Sequence, residues 1–285
     1  MSEITLSAAM RSNLLSLQKT QRLMDTTQGR LATGLKVNSP LDNPANYFAA
    51  SGMRLRANDL ADLKDSMGNA IQVIKTADAA VKGIESLLKT AKGVLESART
   101  ASASDRESLE VRYDEILNQI NQLARDSDFQ GINLVGSAGS NITLDVLFDN
   151  RVGRSSASRL TIEGFAATYT ALGSSGVISA GTALSGNSGA NLNSIINALA
   201  ASISRAMSYL QARSAGLAAN LSIISARLDY STAMTNVLRE GADKLTLADT
   251  NEEGANMLAL QTRQQLGITS LSLAAQSNQS VLRLF

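Results

Sequence analysis

The chain has 285 residues, 44% of them hydrophobic but only 4% aromatic, with no Trp, Cys or His, and with 26 basic against 25 acidic side chains. Lacking His and Cys, it has no imidazole base, thiolate nucleophile, disulfide or Cys/His metal site, and its near-neutral charge offers no footprint for nucleic acid. An aliphatic core suits helix-on-helix packing better than an aromatic-rich sandwich. The two prolines, Pro40 and Pro44, leave long stretches free for unbroken helices.

No apolar run approaches the ~20 residues needed to span a bilayer. The opening MSEITLSAAMRSNLLSLQ carries Glu3 and no continuous apolar core, so no cleavable secretory signal is expected. The absence of Cys suits an exported protein without disulfides and a cytosolic one equally.

Heptad spacing dominates the first half. Met10, Leu14, Leu17, Gln21, Met24, Gln28, Leu31 and Leu35 form a partly apolar seam. Its Gln positions are open to two readings: solvated surface, or polar contacts that set helix register. A helix-breaking turn follows at Asn38-Ser39-Pro40-Leu41-Asp42-Asn43-Pro44. The pattern restarts as Leu60, Leu63, Met67, Ala70, Ile74, Ala77, Val81, Ile84, Leu88, Ala91, Leu95 and Ala98, all apolar. This predicts a helix over about 57–99, roughly 65 Å long. A third helix is predicted on Leu109, Tyr113, Ile116, Ile120 and Leu123, capped by Ser104 or Asp105. Asp59, Asp62 and Lys64 read as the solvated face of a helix, and neither they nor Asp42, Asp65, Glu252 and Glu253 build an acid/base or cation site.

Residues 131–190 hold ten of the twenty glycines. Two alternating stretches, Ile142-Leu144-Val146-Phe148 and Leu160-Ile162 with Phe165 beyond, predict a small β-hairpin with glycine-rich loops. The Ser/Thr-rich 155–194 stretch reads as plain surface rather than a glycan acceptor. Helical spacing returns at Leu192, Ile196, Leu199, Ile203, Ala206 and Leu210, and continues with a small phase shift at Leu217, Leu221, Ile224 and Leu228. A last helical region covers about 240–283. Leu266, Ile268, Leu271, Leu273, Val281, Leu282, Leu284 and Phe285 make its end apolar on more than one face, which calls for burial on several sides. The fold expected is mainly α: a long antiparallel coiled-coil helical bundle with N- and C-terminal helices paired, plus a small β-hairpin insert in the middle.

Three segments carry a family resemblance. GRLATGLKVNSPLDNPANYFAA (Gly29–Ala50), DSDFQGINLVG (Asp126–Gly136) and REGADKLTLADTNEEGANMLALQTRQQLGITSLSLAAQSNQSVLRLF (Arg239–Phe285) resemble, in this order, segments of the bacterial flagellins. SPLDNPA resembles the alphaproteobacterial form, and the similarity covers about 4–150 and 190–285.

The resemblance implies a non-enzymatic, cofactor-free subunit that self-assembles into the extracellular flagellar filament. Its partners are then further copies of itself, the flagellar export chaperone and type III export apparatus, and the hook-associated junction and cap proteins, with no membrane insertion. Inner-tube helices map to 1–35 and 245–285, a spoke to 36–56, an outer helical bundle to 57–130 and 190–244, and a surface-exposed β/loop insert to 131–189. Assembly residues expected on this basis are Leu14, Leu17, Met24, Leu31, Leu35, Leu266, Ile268, Leu271, Leu273, Val281, Leu282 and Leu284. Spoke residues are Asn38, Ser39, Pro40, Asp42, Asn43 and Pro44.

The resemblance also points to a departure. Flagellins sensed by the animal Toll-like receptor for flagellin present a helical stretch resembling LQRVRELAVQA, with an Arg as anchor. Here Thr90 stands in that place and Gly93 where a Glu stands, and Thr lacks the forked contacts of Arg. Silence toward that receptor is implied. A hook–filament junction protein of the same superfamily, suggested by SPLDNP, is the alternative reading, followed by a cytosolic coiled-coil adaptor.

Overall fold

The computed structural model describes residues 8–136, 143–150, 158–173, 184 and 187–282. Ile142 and, within the Ser/Thr-rich 155–194 stretch, residues 155–157, 174–183 and 185–186 lie outside these. The elements are α1 (Ala8–Thr33), α2 (Pro44–Ala98), α3 (Ala103–Asp126), β1 (Thr143–Leu147), β2 (Arg159–Glu163), α4 (Tyr169–Gly173), α5 (Gly189–Thr246) and α6 (Thr250–Leu282). The chain divides into two compact units: unit 1, Met1–Ala57 with Asn236–Phe285, and unit 2, Asn58–Thr235.

Unit 2 holds the main core. The α2 seam from Leu60 to Ala98 is buried at every position but Leu63, with Met67, Val81, Ile84, Leu88, Ala91, Leu95 and Ala98 fully enclosed. Helix α5 answers with Leu192, Ile196, Leu199, Ile203, Ala206, Leu210, Leu217 and Ile224, and α3 with Tyr113, Leu117, Ile120 and Ala124. Polar contacts set α2 antiparallel to α5. Arg99 donates to Asn193 and Asn197 (3.2 and 3.0 Å), and Ser214 donates to Asp78 at 2.7 Å.

The predicted hairpin forms. Strands β1 and β2 pair antiparallel, Val146 opposite Leu160 and Leu144 opposite Ile162, with Leu144, Val146, Phe148 and Ile162 turned into the core. Two arginines of α5 lie over aromatic rings near it: Arg227 is 5.2 Å from the Phe148 ring, and Arg213 is 5.6 Å from Phe165 and 5.1 Å from Tyr209 of its own helix. Leading into the hairpin, Phe129 and Ile132 exchange backbone hydrogen bonds across Gln130 and Gly131, whose φ of 54° and 81° make a tight turn that favours glycine at its second position.

Three expectations are corrected. Helix α2 begins at Pro44 rather than near 57. Asn43 caps it, accepting the Asn46 N–H at 3.1 Å, and Pro44 suits the first helical position, where its missing N–H costs nothing. Helix α3 is capped by Ser102 rather than Ser104 or Asp105; its hydroxyl accepts the Asp105 N–H. The C-terminal helices break at residues 247–249, not between 228 and 240, because Ser231, Thr235 and Thr246 are tolerated in the buried seam. Thr235 and Thr246 satisfy their hydroxyls on carbonyls one turn back.

Candidate assembly interface

Unit 1 is built on α1 and α6 running antiparallel. Asn13 donates to Ser270 at 3.4 Å, Gln264 to Gln21 at 2.9 Å, and Arg30 to Glu253 at 2.8 Å, so residue numbers rise on one helix as they fall on the other. A backbone clasp closes the pair at one end. Lys36 and Val37 N–H groups donate to the Thr246 carbonyl (2.7 and 3.2 Å), Ala248 N–H donates to the Gly34 carbonyl (3.0 Å), and Leu35 bridges Leu247. Gly34, at φ 68°, is the left-handed residue that ends α1; its N–H returns to the Arg30 carbonyl. Small buried residues (Val37, Ala50, Ala57, Ala242 and Thr246) pack this base, and Arg54 donates to Thr246 at 2.8 Å while lying 3.5 Å from Asp243. Asp249 caps α6 by accepting the Asn251 and Glu252 N–H groups.

The turn read as a spoke is self-contained. One Asp42 oxygen accepts the Ser39 N–H (2.9 Å), the Asn38 N–H (3.0 Å) and the Ser39 hydroxyl (3.1 Å). These bonds hold the carboxyl below its ordinary range, the Ser39 N–H contributing most. Pro40 and Pro44 are exposed, Asn43 is half-buried, and Leu41 is 95% exposed.

The terminal seam differs from the expected one. On α1 the covered seam is Met10, Asn13, Leu17, Thr20, Met24, Thr27 and Leu31, with Arg30 half-buried beside it and Gly34 just past the helix end, a heptad sharing Met10, Leu17, Met24 and Leu31 with the prediction. Its other positions are one residue earlier. Gln21 and Gln28 stay exposed on the flank, although Gln21 still reaches Gln264 across the pair. On α6 the covered positions are Glu253, Met257, Leu260, Gln264, Gly267, Leu271 and Ala274, with Gly254 and Ala275 half-buried beside them. Glu253, weighed from sequence only as a candidate acid/base or cation residue, is buried and ion-paired. Its place on the α6 heptad was the signal: a carboxylate at a seam position requires a partner. Of the predicted assembly residues, Leu17, Met24, Leu31, Leu35 and Leu271 are half-buried in the pair. Leu14, Leu266, Ile268 and Leu273 face outward with 41%, 64%, 51% and 69% exposure, beside the exposed Leu15, Leu23 and Leu258. Val281 and Leu282 end α6 with side chains outside the description, and Leu284 is outside the described residues.

The model of the bacterial flagellin N-terminal helical region matches residues 4–139, and that of the bacterial flagellin C-terminal helical region matches residues 200–285. The flagellin of Brucella melitensis is 25% identical over 287 residues, covering 100% of this chain and 99% of its own. Flagellin C of Rhizobium meliloti is 25% identical with the same coverage, and flagellin FljO of Caulobacter vibrioides is 27% identical over 95% of this chain and 94% of its own. Alphaproteobacterial flagellins thus align over the full length, and the matched ends contain α1 to α3 on one side and α6 with most of α5 on the other. The chain belongs to the bacterial flagellin family and is a structural subunit of the flagellar filament, not an enzyme.

Proposed function

We propose that the α1–α6 pair is the element through which copies of this chain polymerise, forming the inner wall of an extracellular tube, with the helices of unit 2 as the next shell. Residues 1–35 and 245–285 then make the inner tube, 36–56 the spoke, 57–130 and 190–244 the outer bundle, and 131–189 its outer surface. The observation that carries this reading is the display of Leu14, Leu15 and Leu23 on α1 and of Leu258, Leu266, Ile268 and Leu273 on α6. Each stands to gain up to about 1.5–3 kcal/mol when fully covered, and neighbouring copies are the cover a homopolymer provides. Deleting residues 266–285 tests it. Filaments should vanish in electron micrographs while the unit 2 unfolding transition is retained; long filaments from the truncated chain sink the proposal.

An exported subunit with this end also needs protection beforehand. The flagellar export chaperone and export apparatus are proposed as partners before assembly, and the junction and cap proteins at the filament ends. A second proposal concerns Thr90 and Gly93. Both are exposed on α2; the Thr90 hydroxyl is folded back onto the Ser86 carbonyl, and nothing lies within 4 Å of where a Gly93 Cβ would be. Neither position carries a forked cation, and the chain is proposed to be silent to the animal flagellin receptor. A reporter-cell assay on purified monomer decides it: activation like that of an enterobacterial flagellin refutes silence, and Thr90→Arg should raise the response in part.

A further inference from the structure

Helix α6 turns an unusual face to α1. Gln264, Gly267 and Ala274 are on the covered side among Met257, Leu260 and Leu271, while Leu258, Leu266, Ile268 and Leu273 are outside. Apolar side chains are thus shared between the two sides, so burial of apolar area alone does not fix the azimuth of α6, and another feature must.

That feature is at Gly267. A Cβ built there would lie 2.7 Å from Leu17 Cδ2 and 3.1 Å from Leu17 Cγ, so the leucine side chain fills the space of the missing one. Gly254, also half-buried on α6, meets nothing within 4 Å. The Leu17 contact is flanked on both sides by polar bonds across the pair, Asn13 to Ser270 and Gln264 to Gln21. An alanine at 267 could be admitted by a swing of one Leu17 methyl; a larger side chain has no such escape.

We infer that Gly267 is the positioning residue that selects which face α6 turns to α1, with Leu17 as the knob it receives. The selected rotation keeps Leu258, Leu266 and Leu273 outward, available to neighbouring copies. The use made of those leucines rests on the assembly reading above; the face selection does not.

The chain has no cysteine, so Asn13→Cys with Ser270→Cys gives a clean disulfide reporter of the pairing in the full-length protein. Gly267→Leu in that background should slow cross-linking and filament growth by about tenfold or more, since overpacking of this size is strongly unfavourable. Gly254→Ala should leave both unchanged. Exchanging knob and hole, Leu17→Ala with Gly267→Leu, should restore cross-linking to within about threefold. Reporter cross-linking at the parent rate in Gly267→Leu, or an exchange variant no better than the single one, overturns the inference. Filaments that still grow while the cross-link is lost leave the face selection standing and remove the assembly reading instead. The unit 2 unfolding transition, read on every variant, separates these outcomes from general misfolding.

Discussion

The seam of α2 in unit 2 and that of α1 in unit 1 use the same heptad spacing to opposite ends. Along α2, Met67, Val81, Ile84, Leu88, Ala91, Leu95 and Ala98 are each fully enclosed. Along α1, among the described side chains, only Thr27 is buried, and every second seam position is polar: Asn13, Thr20, Thr27. The first seam completes a core from within the chain. The second leaves its helices partly clad, and helices so covered draw little stability from packing. Stability concentrated in one unit, with exposed leucines in the other, is the division a polymerising subunit needs.

The sharpest way to break this comparison is a pair of cavity mutations. Leu88→Ala should cost the monomer about 2–5 kcal/mol, as deletions in enclosed cores do. Leu23→Ala, on the exposed side of α1, should shift monomer stability by no more than about 0.5 kcal/mol, while weakening filament growth. Chemical denaturation of dilute monomer measures the first difference and seeded polymerisation the second. Similar losses of monomer stability for both would show that the two seams are not different in kind.

Protease challenge extends the contrast to whole segments. In dilute monomer, cleavage should begin in α1 and α6 and leave a resistant fragment of about 57–235, because the terminal pair opens at low free-energy cost. In filaments the same sites should become protected. Uniform resistance along the monomer would contradict the division.

How much of this was legible from sequence follows the same line. Where one face of a helix is apolar and the rest polar, as from Leu60 to Ala98, the seam could be read position by position. The hairpin was equally plain, since Leu144, Val146 and Ile162 alternate with exposed neighbours. In α1, leucines occur on several faces. Counting apolar residues therefore favoured Leu14, which is exposed, over Asn13, which is in the seam. Nor does hydrophobicity mark Arg30, Glu253 or Gly267: an ion pair and a knob in a hole depend on what the other helix presents, hundreds of residues away. Pro44 misled as a breaker because the same ring that ends one helix suits the first position of another.

Arg30→Ala sharpens the comparison at intermediate scale. Glu253 has a side chain only 9% exposed, and Arg30, at 37%, is its partner at 2.8 Å. Removing the arginine leaves a carboxylate with little water and no counter-charge from that helix. Because the pair is partly open to solvent, the cost should be about 1–2 kcal/mol rather than that of a fully buried pair. It should fall on the terminal pair alone, as faster amide exchange in α1 and α6 with unit 2 amides unchanged. Arg30→Glu combined with Glu253→Arg should recover part of the protection.

The smallest expected effect lies in the turn between α1 and α2. Asp42 accepts hydrogen bonds from the Ser39 and Asn38 amides and the Ser39 hydroxyl. These bonds favour the charged form and hold its pKa below the ordinary 3.8. A carboxyl whose folded-state pKa is depressed contributes stability that is fully present above the unfolded value and is lost as pH falls through the folded one. The turn should therefore be insensitive to pH from neutrality down to about 4, and loosen below that. Exposure of the carboxylate keeps the effect local. Titration of the Asp42 carboxyl by NMR, with the Asn38 and Ser39 amide shifts as reporters, should give one common midpoint under the ordinary value. Asp42→Asn should abolish that step and leave the two amides less protected already at neutral pH. A midpoint at or above the ordinary carboxylate range would mean that the turn is held by its backbone alone, and that Asp42 is a bystander in joining the weakly clad helix to the strongly packed one.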